Sequence, residues 1–347
     1  MQTIAVFIGA TFVMYVGRGI FLPLLVAVFF WYLLNAIAAY YRKALPLYVR
    51  DGKKPKPGAV AFDILSKVMS LLTFGGLAYA FTTQIKPAFA GLMTRLPEIQ
   101  HQLLNFKHYL YDKTGIALDE KMLPDTGAVL TSIGGGVAQI SAAVGLVLIY
   151  ILFMYIEQST FKQKLAALVP QKKQLTKVRY IIKSIDGNMK KYMFVKTLSS
   201  AIMAIISYML MSYMGLEFAG VWAFIIFVMN YIPTFGTIVS VTLPVLYSLI
   251  IGSEAEFIIL LASGLVALQI LIGNVFEPRL TGKTLNLSTL AILINLVFWG
   301  VLWGPVGMFF SVPILVAAFI ATAQFDHTRW IAVLLSANGE IPAKEGD

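Results

Sequence analysis

The sequence predicts an all-α integral membrane protein, and three observations carry that reading. Of the 347 residues, 59% are hydrophobic and only 13% are charged, about half the charged share of an average soluble domain. The mean hydropathy is +0.79, so the chain could not cover a water-facing surface with polar groups. About eight hydrophobic segments lack Asp, Glu, Lys and Arg altogether: 1–17, 19–41, 68–85, 126–156, 197–216, 218–253, 257–276 and 284–325. None alternates strictly over about ten residues, as a strand of a membrane barrel does. The segments therefore read as helices, which satisfy their own backbone polar groups in lipid. Composition also excludes a disordered chain. Cysteine is absent and only three histidines occur, so disulfides and thiolate metal sites are excluded and no metal or cofactor is expected.

Taken in order, segment 1–17 has no basic residue ahead of it and no small-residue cleavage site, unlike a secretory signal peptide. It reads as a retained span paired with 19–41 around Arg18. The loop 42–58 carries six Lys/Arg against Asp51, and 158–192 carries nine against Asp186, whereas 86–125 balances five basic against five acidic residues. The positive-inside rule places 42–58 and 158–192 in the cytoplasm and 86–125 outside. With +5 and +8 in the two loops, the remainder is −3, so the formal net charge of +10 reports topology. No aromatic-basic platform accompanies the lysines, and no nucleic-acid partner is expected. The expected partners include anionic lipid headgroups, which attract the basic segment after Ile156.

Between 85 and 106, Ile85, Phe89, Leu92, Met93, Leu96, Ile99, Leu103 and Phe106 recur at near-helical spacing. This predicts an amphipathic helix on the membrane surface or against a partner subunit. His101 and His108 share its face as ordinary exposed residues. Thr281-Gly282-Lys283-Thr284 ends like a phosphate-binding loop, but Glu277 stands where the motif needs glycine and no strand precedes it. No nucleophile elbow or His-Glu-x-x-His helix occurs. The chain is not expected to be an enzyme. The organisation expected is N-terminal spans with their basic loop (1–85), an extracytoplasmic amphipathic segment (86–125), a span with a basic cytoplasmic segment (126–192), a transport core (193–325) and a tail (326–347).

Two segments, 218–253 and 284–325, are too long for one crossing and are broken inside. The first is interrupted by Asn230-Tyr231-Ile232-Pro233-Thr234-Phe235-Gly236, where Pro233 removes a backbone donor and Gly236 permits a sharp turn. The arm before it is about 18 Å long, too short to cross. The second is interrupted between Trp299 and Gly307, after an arm of about 21 Å. Both read as re-entrant helical hairpins, of opposite orientation because the span 257–276 lies between them. A fully spanning pair with a tight loop is the alternative. Paired Gly/Pro-interrupted segments point to a transporter's substrate site. The path candidates are Asn230, Pro233, Gly236, Asn274, Glu277, Arg279, Asn295, Gly304, Pro305 and Gly307. Glu217 and Glu277 are the carboxylates placed to couple an ion, and Gln269 reads as an interhelical hydrogen bond.

Three stretches resemble the autoinducer-2 exporter family, also called PerM-like permeases. Residues 230–236 are similar to its Asn-aromatic-Ile-Pro-x-x-Gly signature, although Thr234 and Phe235 stand where an aromatic-aliphatic pair is commoner. Residues 277–283 are similar to its Pro-x-x-x-Gly-Lys stretch. Trp299-Gly300, Trp303-Gly304, Gly307-Met308 and Pro313 are similar to its closing pattern. The resemblance implies a homo-oligomeric inner-membrane transporter that exports the signal autoinducer-2, with sodium or lithium exchange for protons in some members.

The leading expectation is thus a secondary transporter in the plasma (cell inner) membrane, exporting a small polar solute and driven by an ion gradient. A sodium (lithium)/proton antiporter is the first alternative and an oligomeric pore the second, since Gly- and Pro-rich re-entrant segments also build filters.

Overall fold

The computed structural model describes residues 2–44, 59–114, 144–158, 160–281 and 286–342. Among them the chain consists of helices and the turns that join them, with an isolated antiparallel bridge between Leu287 and Ser336. The helices are α1 (Gln2–Val16), α2 (Arg18–Ala44), α3 (Ala59–Thr94), α4 (Leu96–Thr114), α5 (Val144–Glu157), α6 (Phe161–Leu168), α7 (Lys172–Tyr213), α8 (Ala219–Met229), α9 (Phe235–Ile250), α10 (Ala255–Gln269), α11 (Glu277–Thr281), α12 (Thr289–Ala323) and α13 (Arg329–Leu335). A π-helical turn, Ile270–Phe276, joins α10 to α11.

By length and composition, four described helices can cross a membrane: Arg18–Arg42, Lys172–Tyr213, Ala255–Leu280 and Thr289–Ala323; α5 and α6, bent by 71° at their junction, pass the same test only when taken together. The chain is an all-α membrane protein. The eight charge-free segments are not eight separate crossings of that kind. Segment 1–17 becomes the 15-residue α1, and 68–85 lies inside the 36-residue α3. Residues 45–58 of the basic loop, 115–125 of the extracytoplasmic segment, 126–143 of the segment that follows and 282–285 lie outside the described residues.

The chain divides into two compact units, one formed by 1–75, 144–196 and 280–347, the other by 76–143 and 197–279. In the first, Ala27, Leu34, Val147 and Ile151 form a core between α2 and α5. Phe29 of α2 meets Phe309 of α12 edge-on at 5.2 Å, a favoured aromatic geometry. The tail is folded back: Ser288 donates to Leu335 O and Ala337 to Asn286 O. Where α3 begins, before its uncharged run, Asp63 pairs with Arg42 of α2 and, at 2.8 Å, with Lys67 one turn on. Tyr41 and Thr73 add a hydrogen bond of 2.6 Å between the same two helices.

In the second unit the core gathers Leu92, Ile99, Met203, Met211, Val221, Trp222, Ile226, Tyr247, Leu261 and Leu265. Two residues of the amphipathic stretch 85–106 therefore face the chain's own core and neither lipid nor a partner subunit. The stretch is divided at Arg95 between α3 and α4, and Leu92 and Ile99 are buried against the chain's own hairpin.

Partial burial pushes the Asp63 carboxyl up, but its bonds to Lys67 and Arg42 outweigh that and hold it below its ordinary value. A depressed carboxylate contributes stability that is present above the unfolded value and lost as pH falls through the folded one. Asp63→Asn should lower the unfolding midpoint at pH 7 by the equivalent of about 1 kcal/mol. That difference from the wild type should close below about pH 4, read as thermal unfolding followed by tryptophan fluorescence.

Candidate functional site

Each of the two broken runs folds back on itself, and each does so through a glycine that meets a backbone carbonyl. In the first, α8 ends at Met229 and Pro233 prevents its continuation. Gly236 N then donates to Ile232 O at 3.0 Å. The second arm starts so close to the first that a Cβ on Gly236 would lie 1.7 Å from Met229 O. Thr234 at the tip has φ 59, a conformation strained by about 1–3 kcal/mol in a β-branched residue.

In the second, the reversal is located at one residue, Gly304, with φ 66 and ψ −150 inside α12, a region open essentially to glycine alone. Pro305 follows. A Cβ on Gly307 would lie 2.0 Å from Trp299 O. Asn295 Nδ2 donates to Ser311 O at 2.6 Å and its Oδ1 accepts from Trp299 Nε1 at 3.0 Å. In a straight helix residues 295 and 311 would stand about 24 Å apart, so this bond alone requires antiparallel arms. Trp303 at the tip donates to Met14 O at 3.0 Å, satisfying one of the carbonyls left open at the end of α1.

The tip of the first hairpin is docked on one turn of α7. Asn230 Nδ2 donates to Ser200 Oγ at 3.0 Å, and Tyr231 OH donates to Thr197 Oγ1 at 2.8 Å. From the far end of the α10 span, Glu277 Oε2 accepts from Ser199 Oγ at 3.2 Å. Ser199, Ser200, Asn230 and Tyr231 are all buried. Three residues within one turn of α7, Thr197, Ser199 and Ser200, thus collect the hairpin tip and a carboxylate within about 5 Å along the helix. Gln269 donates to Thr237 at 3.0 Å, the interhelical bond expected of it.

At the opposite end of the same hairpin, Glu217 Oε2 accepts from Arg95 Nη1 at 2.6 Å and from Tyr247 OH at 3.0 Å. About 24 Å of α7 separates Thr197 from Tyr213, so Glu217 and Glu277 do not share a site. Of the residues singled out in the sequence, Asn230 and Glu277 converge on the α7 turn, with Pro233 and Gly236 shaping the tip. Asn295, Gly304, Pro305 and Gly307 build the other hairpin. Asn274, in the π-helical turn, and Arg279 are exposed.

The geometry has a counterpart in other sequences. Residues 4–326 match the AI-2E family transporter profile. The chain belongs to the AI-2E transporter family. It is 29% identical over 326 residues to the AI-2 transport protein TqsA of Escherichia coli K12, covering 91% of this chain and 89% of that one. It is 30% identical over 305 residues to the putative transport protein YhhT of the same organism, covering 86% and 82%. The putative transport protein YrrI of Bacillus subtilis 168 is 24% identical over 329 residues, covering 90% and 88%. The resemblance carried by residues 230–236, 277–283 and 299–313 therefore extends over nearly the whole chain, which is a multi-pass membrane protein of a transporter family.

Sequence reasoning missed the α7 side of this candidate site. Lys196, Ser199, Ser200, Met203 and Ser207 are all buried and recur at i, i+3, i+4, i+7 and i+11, one helical face. The spacing was available as a signal, but Lys196 falls between the basic segment 158–192 and the charge-free segment 197–216. An ionisable residue buried in a membrane helix is a functional position by default.

Replacing Gly236 or Gly307 by alanine should destabilise the protein by at least about 1–3 kcal/mol, because the new Cβ meets a carbonyl that cannot move aside. Gly187→Ala, exposed on α7 with open space around it, should be neutral or slightly stabilising. Thermal unfolding in detergent separates the two outcomes.

Proposed function

We propose that the chain is a secondary transporter of the cell inner membrane that exports a small polar solute of the autoinducer-2 kind, coupled to an ion gradient. One observation carries the proposal: a broken helical hairpin presents its irregular tip to a buried hydroxyl turn of a neighbouring helix. Irregular backbone at membrane depth is tolerated where it is buried in protein or lines a cavity, and interrupted helices are where transporters place their substrates. The solute passes where Asn230 and Tyr231 meet Thr197–Ser200, and that contact must part and reform during the cycle. The name of the relative TqsA, an AI-2 transport protein, supports the solute class. The basic segments 42–58 and 158–192 lie in the cytoplasm against anionic headgroups, and the working unit is a homo-oligomer.

A second reading, sodium (lithium)/proton exchange, is favoured by Glu277. Its carboxylate sits against the Ser199 hydroxyl, and carboxylate and hydroxyl oxygens are the ligand type hard cations take. Glu217 is the weaker carrier, since it is bonded to Arg95 and Tyr247.

Purified protein in liposomes tests both. Labelled autoinducer-2 should leave loaded vesicles with a saturable rate that an imposed sodium or pH gradient changes several-fold. Flux that never saturates would instead indicate a pore. If Glu277 carries the ion, Glu277→Gln should remove the gradient effect while leaving gradient-independent solute exchange. An unchanged gradient effect would remove Glu277 from the coupling role.

A further inference from the structure

Within the second unit, two buried hydroxyls have no hydrogen-bond partner among the described residues: Ser207 Oγ on α7 and Ser240 Oγ on α9. Both residues are almost wholly buried, at 1% and 2% exposure. A serine inside a helix ordinarily returns its hydroxyl to the carbonyl one turn back; these two do not. Ser240 carries a second open group, because Pro244 has no N–H to give to the Ser240 carbonyl. Orphaned polar groups in an apolar interior are costly unless something polar reaches them.

Their placement is ordered. On α7, Ser207 continues the face that begins with Ser199 and Ser200, with Met203 between. On α9, the buried face runs Gly236, Ser240, Pro244, Tyr247, Ser248. Met203 and Tyr247 belong to the same buried cluster, so both stripes enter one core. Each starts at the docked tip and leads toward the corner between α7 and α8. That corner is closed by the half-exposed Arg95–Glu217 pair, which Tyr247 joins from α9. The pair ties together three elements, the α3–α4 junction, the α7–α8 corner and α9. Phe218 at the corner is held at φ 57, and Phe218 and Trp222 pack around the Tyr247 ring at 6.1 and 5.3 Å. An ion pair open to water on one side is easily parted.

We infer that Ser207 and Ser240 line a hydrated polar path running from the hairpin tip to this corner, and that the Arg95–Glu217–Tyr247 cluster is the gate closing it. The inference rests on the transport reading. It assigns Glu217 to gating and takes it out of ion coupling. The occupants are water and a small hydroxylated solute, which serine hydroxyls and an open carbonyl can both hydrogen-bond.

The cysteine-free chain allows a direct test. Ser207→Cys and Ser240→Cys are made singly, in full-length protein in lipid nanodiscs, and treated with a charged methanethiosulfonate, which reacts with thiols in water. Leu261→Cys, buried in the apolar core, serves as the dry reference and Tyr213→Cys, fully exposed, as the wet one. The expected result is slow labelling at 207 and 240, none at 261, and at least a tenfold faster rate when Glu217→Gln or Arg95→Gln opens the pair. Two gate variants guard against one failing to fold. No labelling at 207 or 240 in either gate variant, with 213 labelled, would overturn the path. Equal rates with and without the pair would overturn the gate. Solute flux is measured on the same proteins: flux without labelling defeats this inference alone, whereas labelling without saturable flux defeats the transport reading and leaves the path standing.

Discussion

A helix that turns back within an apolar medium must satisfy every backbone group it frees, because no water is there to do so. In this protein the solution is close contact. The second arm of each hairpin is pressed onto the last turn of the first, so near that only a hydrogen fits at Gly236 against Met229 O and at Gly307 against Trp299 O. The prolines, the tip side chains and the bonds of Asn230, Tyr231 and Asn295 follow from that requirement. A tip bound this tightly to itself can leave its neighbours only as a unit. That is the property a transporter's moving element needs, and it sets the hairpin apart from a flexible loop.

The second consequence is electrostatic. Charged residues are scarce, and three of the described carboxylates are shared between elements. Asp63 joins α2 to α3 through Arg42 and Lys67, Glu217 joins three elements, and Glu277 reaches Ser199. Hydroxyls, with the amides of Asn230 and Gln269, make the other interhelical polar contacts described in the second unit. They suit a solute path because they donate and accept without a charge to desolvate, and membrane hydrogen bonds of this type are worth only about 0.6 kcal/mol on average. Contacts that weak can break and reform in every cycle.

Much of this was legible before any coordinates. Charge-free length identified a helical membrane protein without setting the number of its crossings, and Pro233, Gly236 and the Gly-Pro pair at 304–305 marked both reversals, because proline and glycine act on the backbone locally. The partners were not legible. Nothing in the neighbourhood of Asn230 says that it meets Ser200, thirty positions earlier. The hydroxyls of α7 were hidden by their ordinariness, since serine in an apolar run changes hydropathy little. The amphipathic stretch 85–106 had the right periodicity, but its apolar face was assigned to lipid or a partner subunit when Leu92 and Ile99 pack inside the chain. Periodicity reports that a face is covered without reporting by what. Glu217 and Glu277, equivalent as carboxylates at the ends of apolar runs, differ because one has an arginine beside it and the other a serine.

The central claim is that the Asn230–Ser200 contact opens and closes as solute moves. The measurement that tests it most directly is flux through a chain carrying Ser200→Cys and Asn230→Cys, joined by a short reducible thiol crosslinker in liposomes. The account predicts that the unlinked protein transports, that linking stops saturable efflux, and that reduction restores it. A fully linked protein that exports solute at the unlinked rate would contradict it.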